Sequence, residues 1–454
     1  MSQISHDSPF SFDEQGKLSV RNGVAIRQIN GNLALAVERL RSNNGMDALC
    51  KAGMIQTDVG TSGQITEVRH EFIPFVTYPQ EWTLKMLQQA ALCALDVAIE
   101  LNRHELSLQD PHAWNVSFRF GRPVYIDFSS IIHGKKLHPR FLHDIFKSYY
   151  IALWLGGQKY GVRKCQQLAH AVMNSEHEWR MWQQPRAEWR RMFDHDLLGR
   201  FCREYNGIVR RHQGDEDPIQ LLKTLRQHIA SIDIVRQESQ WSEYGQPGGS
   251  YDDPSSFSTK ARAVVELLGR LPPGRLLDLA CNQGWFTGYA AKLGHVAIGL
   301  DADPIAVDKG IAAAPQAKYD IGYMNVAWPT PPQGAFLMYP SAYERFSCDT
   351  VMMIALQHHL NLRQGIRFEA LAAMAARYGA KNLLIEWIPP EDVIVKDWLA
   401  KGNLSHVPEW YNEAAFEAAM RRPFPLMERV DSGEGHSQFP GATPRKMYLF
   451  RKAD

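Results

Sequence analysis

This chain of 454 residues has no apolar run approaching the about 18 residues that carry a helix across a membrane, so no span is expected. It has no surplus of charge either: 50 basic residues stand against 49 acidic ones, a formal net charge of +1. That balance gives no general attraction to a polyanion, and a nucleic-acid partner is not expected. Cysteine is scarce and shows no paired metal-ligand spacing; the six lie at positions 50, 93, 165, 202, 281 and 348. Several sit in apolar runs such as ALCALDV and FSCDTVMM, which points to reduced, buried thiols in a cytoplasmic protein without a metal. The start, MSQISHDSPFSFDEQGK, is polar and acidic and does not read as a signal peptide. What is present is an ordinary globular balance, 45% hydrophobic and 22% charged, in a chain long enough for two or three domains. Arg186, Arg190, Arg191 and Arg200 are interleaved with Glu188, Asp194 and Asp196, and read as a solvated helical face.

Residues 1–16 read as a flexible arm. Residues 17–245 read as a mixed α+β, largely helical domain. It opens with short strands around Asn22-Gly23, followed by a helix over 32–55, a strand over 63–76 and a buried helix over 81–103. A loop, SLQDPHAWNVSF, and a strand, RPVYIDF, come next, and then successive helices from 138 to about 235. The Gly-, Pro-, Ser- and Asp-rich SEYGQPGGSYDDPSS lacks periodicity and marks a linker at 246–257. In the remaining domain, 258–454, helix and strand alternate. Strands are expected at 275–280, 296–301, 321–325, 348–356 and 382–387 and in the late KMYLF, with helices at 259–269, 284–293, 304–313, 364–378 and 411–420. Such alternation means an α/β fold with a mostly parallel sheet covered on both faces.

The richest stretch is RLLDLACNQGWFTGYAAKLGHVAIGLDADP, residues 275–304. It reads as a buried strand, a tight turn, a helix, a second buried strand and an acidic residue at its end. This is how a parallel sheet grips a nucleotide-like cofactor at its C-terminal edge. The turn Cys281-Asn282-Gln283-Gly284 needs permissive residues, because backbone must approach the ligand closely. Asn282 tolerates left-handed geometry and Gly284 adopts it freely. Free N–H groups at the helix start suit a polar or anionic ligand group, and Asp301 suits ribose hydroxyls. A dinucleotide-binding oxidoreductase would show GxGxxG here, whereas this chain has AxNxGxF.

Asp278, Ala280, Asn282 and Gly284 fall at the positions of the glycine-rich motif of class I S-adenosylmethionine-dependent methyltransferases, and residues 275–387 resemble that family. Two of its usual glycines are replaced, by Ala280 and Asn282. The resemblance implies a Rossmann-like fold and S-adenosyl-L-methionine as cofactor. It places Asp278 near the methionine amino group, through backbone or water contacts, and Asp301 on the ribose. It puts Ala302 and its neighbours Asp303 and Pro304 beside the adenine, with Asn325 at the adenine amino group. Lys260, on the first helix of this domain, is a candidate for the cofactor carboxylate, and equally a solvated lysine.

The strand CDTVMMIAL runs into Gln357-His358-His359 at the edge that faces the crevice. A histidine there suits a base for a hydroxyl, amine or activated carbon. His358 is preferred to His359, and one of the pair is expected to pack or cap. Glu386, at the end of the next strand, is a candidate to orient a substrate amine or hydroxyl or to hold a histidine. Methyl transfer to a small molecule or glycan-type metabolite is the leading expectation. Aminocarboxypropyl transfer from the same cofactor and a non-catalytic binding protein are the alternatives. The [ND]-P-P-[FYW] tetrad of many methyltransferases acting on nucleic acids is missing after the fourth strand.

In the N-terminal half, Asp110, Asn115 and Asp127 have spacings that resemble the catalytic loop and metal-binding Asp of protein and aminoglycoside kinases. No glycine-rich phosphate loop accompanies them. A degenerate scaffold, recognition without transfer, and phosphotransfer all stay open. Over roughly residues 20–425 the chain resembles a two-part bacterial family related to rhizobial nodulation host-specificity methyltransferases. The resemblance is carried by VAIRQI, HEFIPFVTYPQEWTLKML, the Asp110–Asp127 loop, ALQHHL, IEWIPPED and the EWY…FE ending. It implies a small-molecule partner and leaves homo-oligomerisation open.

Overall fold

The computed structural model describes residues 18–21, 23–29, 31–60, 67–138, 141–158, 207, 217–234, 248–324, 340–433 and 445–453. The arm at 1–16, the arginine cluster at 186–200 and Asn325 lie outside these residues. The chain forms two compact units. The first comprises Met1–Ile73, Tyr78–Phe118 and Pro123–Arg236. The second takes in Pro74–Thr77, Arg119–Arg122 and Gln237–Asp454.

The first unit opens with the expected hairpin. Leu18–Arg21 pairs antiparallel with Val24–Gln28 across a turn where Gly23 has φ 73°. A four-stranded antiparallel sheet follows in the order Leu18–Arg21, Val24–Gln28, Glu67–Glu71, Thr57–Val59. The helix expected over 32–55 is two helices, Gly31–Ser42 and Gly45–Ala52. Asn44 breaks it by taking a left-handed φ of 51°, which its short polar side chain tolerates. The buried helix Leu84–Arg103 starts where Thr83 Oγ1 accepts the Met86 N–H at 3.1 Å. Gln88 Nε2 on that helix donates to the carbonyls of Ile229 and Ile232, both at 2.9 Å, which fixes the helix Pro218–Ala230 against it.

The second unit is built on seven strands: β1 (Arg275–Leu279), β2 (Val296–Asp301), β3 (Asp320–Tyr323), β4 (Thr350–Met353), β5 (Asn382–Trp387), β6 (Leu426–Gly433) and β7 (Arg445–Arg451). Their spatial order is β3-β2-β1-β4-β5-β7-β6. The first five are mutually parallel, while β7 runs antiparallel to both β5 and β6. Leu276, Leu277, Ile298, Leu300, Val351, Leu383 and Ile385 are buried in this sheet, as expected where helices cover both faces. Six helices of this unit are α1 (Thr259–Leu268), α2 (Trp285–Lys292), α3 (Pro304–Ala317), α4 (Phe368–Arg377), α5 (Val393–Ala400) and α6 (Glu413–Arg421).

Neither β6 nor α5 was foreseen. β6 is an edge strand with a polar sequence, LMERVDSG, that carries no buried run. Helix α5 follows Pro389-Pro390, in a stretch where no element was expected. Its start is set by Asp392, whose Oδ1 accepts the Ile394 N–H at 2.9 Å.

Candidate active site

Three left-handed residues stand at alternate positions beyond the tip of β1: Ala280 (φ 63°), Asn282 (φ 52°) and Gly284 (φ 79°). This backbone explains why glycines are usual there, and what Ala280 and Asn282 must tolerate in their place: about 1–2 kcal/mol each. The turn is held from several sides. Ala280 N–H donates to the Leu300 carbonyl at 2.8 Å. Asn282 N–H donates to Asp301 Oδ2 at 2.7 Å, and Asn282 Oδ1 accepts the Gln283 N–H at 2.9 Å. A Cβ on Gly284 would lie 2.7 Å from Tyr319 Cε2, so the ring supports the turn from beneath. The Tyr319 hydroxyl lies 2.9 Å from the carbonyl oxygens of both Gln283 and Gly310, sharing its one proton between them.

Asp278 is buried, and its Oδ2 accepts from Thr287 Oγ1 at 2.7 Å. Burial pushes its carboxyl up to about 7, against the Thr287 hydrogen bond and with help from the nearby Asp301 charge. Asp301 closes β2. Its Oδ1 accepts the Asp303 N–H at 2.8 Å, and Asp303 in turn caps α3 through the N–H groups of Ile305 and Ala306. Burial pushes Asp301 up to about 6, opposed by the backbone N–H groups of Asp303 and Asn282. Ala302 is half-buried beside it. The two carboxylates thus stand near the C-terminal ends of the adjacent strands β1 and β2, and backbone amides hold that of Asp301.

The ends of β4 and β5 lie at the same C-terminal edge. Ala355, left-handed at φ 52°, donates its N–H to Glu386 Oε2 at 2.8 Å. His358 is buried and lies flat on Trp398, with ring centroids 5.3 Å apart and planes at 12°. His359 is less buried, 4.2 Å from His358 and 4.9 Å from Trp398 between centroids. Burial, then the charges of His359, Arg445 and Lys260, hold His358 far below the usual imidazole range. Burial, then Arg363 and Arg445, bring His359 down to about 4. Both rings are neutral near pH 7.

Glu386 is fully buried, and Lys260 Nζ lies 2.8 Å from its Oε2. Burial alone would raise the Glu386 carboxyl; Lys260 and Arg445 outweigh it and hold the group below its ordinary value. Burial lowers Lys260, against the pull of Glu386. Tyr319, Thr287, Trp398 and Arg445 were not picked out from sequence, because each acts through a tertiary contact that carries no local pattern.

In the first unit, Asn115 bridges the backbone of Asp110 and the carboxylate of Asp127. Asn115 Nδ2 donates to the Asp110 carbonyl at 2.7 Å and to Asp127 Oδ2 at 3.3 Å. Arg27 NH2 lies 4.0 Å from Asp127 Oδ1, which also accepts the Ser129 N–H. Among the described residues no group of three or more His, Cys, Asp or Glu is arranged to hold a metal ion.

Strand order, the antiparallel β7 and the left-handed turn after β1 decide the architecture. The second unit has a Rossmann-like α/β fold, and its sheet order is similar to that of class I S-adenosylmethionine-dependent methyltransferases. The first unit joins a four-stranded antiparallel sheet to the helices Gly31–Ser42, Gly45–Ala52, Leu84–Arg103 and Pro218–Ala230. No family model matches the sequence. The chain is 26% identical over 421 residues to nodulation protein NoeA of Rhizobium meliloti (strain 1021), covering 86% of this chain and 83% of that protein. Among solved structures it is similar to WbdD, at 17% identity over 46% of this chain and 44% of that one, TM-score 0.30. It is also similar to magnesium protoporphyrin IX methyltransferase from Synechocystis PCC 6803 (15% identity, 42% of this chain and 80% of that one, TM-score 0.30). A TehB-like methyltransferase from Corynebacterium glutamicum matches at 16% identity over 43% of this chain and 88% of that one, TM-score 0.28.

Proposed function

We propose that the chain transfers a methyl group from S-adenosylmethionine to an oxygen or nitrogen of a small molecule or glycan-type metabolite. The observation that supports this most is the cradle after β1, where Ala280, Asn282 and Gly284 adopt φ values of 63°, 52° and 79° beside Asp301. A turn held open at that conformational cost is what close backbone approach to a ligand requires. The Asp301 carboxylate retains acceptor sites for ribose hydroxyls, because two backbone N–H groups engage only part of its lone-pair capacity. In this reading Asp278 serves the amino end of the cofactor, Ala302 and Asn325 the adenine, and Lys260 the carboxylate. The cofactor supplies an already activated methyl group, which leaves the protein chiefly to place the acceptor. His358 or His359 takes the acceptor proton; as neutral imidazoles both have the required lone pair. The similarity to a nodulation protein favours a role in bacterial specialised metabolism.

Calorimetry with S-adenosylmethionine and its demethylated product tests the cofactor half of the proposal. Mass spectrometry of candidate acceptors, scored for the gain of a single methyl group, tests the other half. His358→Ala is expected to lower turnover at least about tenfold with cofactor affinity kept. Unchanged turnover at every pH would remove His358 as the base.

A further inference from the structure

We propose that Arg445 is a positioning residue that fixes the His358 ring at the acceptor edge of the sheet, acting through two separate routes. Arg445 opens β7 and is 4% exposed. Because β7 runs antiparallel to β5, its first residue stands at the same edge as Glu386.

The first route runs through α5. Arg445 Nε and NH2 grip Asp392 bidentately, at 2.8 and 3.0 Å. Asp392 caps α5, and α5 carries Trp398, the plate on which His358 lies. The second route runs through Glu386. Arg445 NH1 stands 3.8 Å from Glu386 Oε1, and the other oxygen holds Lys260 and the Ala355 N–H. Ala355 lies in the bend that leads from β4 into the helical turn carrying Gln357 and His358.

His358 needs such a frame, because its Nδ1 is buried without a hydrogen-bond partner among the described residues. Among the described residues no hydrogen bond chooses its tautomer or its tilt, which leaves packing and the surrounding charges to do so. The charges that act on the ring are those of His359 on its own segment, Arg445 on β7 and Lys260 on α1; Arg363 acts on His359, and Glu386 on β5 and Asp392 before α5 act on Lys260. A guanidinium fork spans two carboxylates in a way that a lysine ammonium does not. That His358 serves as a base rests on the function proposed above; the two routes do not.

The test is nuclear magnetic resonance of the full chain with nitrogen-labelled histidine rings, followed through a pH titration. His358→Asn identifies the His358 signals. The wild type is expected to show one neutral tautomer throughout the folded range. In Arg445→Gln the proton affinity of His358 should rise about tenfold or more, with the tautomers mixed. In Arg445→Lys the affinity should stay low while the ring signals move, because the charge is kept and the fork is lost. Folded variants whose His358 signals match the wild type would overturn the proposal. Should Arg445→Gln fail to fold, unmoved signals in Arg445→Lys overturn it alone. Failure of the methyltransferase reading would appear differently, as absent cofactor binding in the wild type with the His358 response intact.

Discussion

Asp301 joins the turn after β1 to the start of α3, and it is the residue on which cofactor affinity should depend most. Asp301→Ala removes the acceptor of the Asn282 and Asp303 N–H groups along with the proposed ribose contact. Hydrogen bonds to a charged group contribute about 1.5–3 kcal/mol, so affinity should fall roughly ten- to a hundredfold by calorimetry. Its pH behaviour has a definite sign. Asp278 and Asp301, raised to about 7 and about 6, hold protons in the folded state that the unfolded chain has already released. Their contribution to the stability of the unliganded protein is therefore full at the lowest pH and is lost as pH rises through these values. Ribose hydroxyls and a sulfonium favour the ionised Asp301. The rise in melting temperature caused by S-adenosylmethionine should then be larger at about pH 8 than at about pH 5. Asp301→Asn should flatten that difference.

At the scale of elements, the supports of the turn can be separated. Tyr319→Phe deletes the hydroxyl that serves the Gln283 and Gly310 carbonyls and leaves the ring under Gly284. A loss of about 1–2 kcal/mol in stability is expected from denaturant unfolding, with weaker cofactor binding. Asn282→Gly should bind the cofactor as well as the wild type, because it relieves a left-handed φ of 52° and keeps the backbone N–H that Asp301 uses. The core strands were legible in sequence because β1, β2, β4 and β5 are buried on both faces and read as apolar runs. β6 was not, since its polar sequence, LMERVDSG, has no such run. The helix at Val393–Ala400 was hidden by the two prolines before it. The site divided in the same way. Asp278 and Asp301 stood at strand ends in a recognisable spacing, whereas Tyr319 and Arg445 reach the site only through folding.

At the scale of the whole molecule, the second unit is not a simple C-terminal piece. It takes in Pro74–Thr77 and Arg119–Arg122. Arg119 NH1 lies 2.8 Å from the buried Asp320, and the Phe120 N–H donates to the same carboxylate at 2.6 Å. The guanidinium groups of Arg275 and Arg345 donate to the carbonyls of Pro74 and Val76 at 2.9 and 2.6 Å. A fragment of residues 248–454 strips Asp320 of these partners. Breaking a buried pair costs about 3–5 kcal/mol, so the fragment should melt well below the full chain, and Asp320→Asn within it should restore part of the loss. The central claim is tested most directly by titrating the full chain with S-adenosylhomocysteine in a calorimeter, beside Asp301→Ala. One site per chain, strongly weakened by the substitution, is the predicted result. No heat at high ligand concentration in the wild type, or equal binding by the variant, would contradict it.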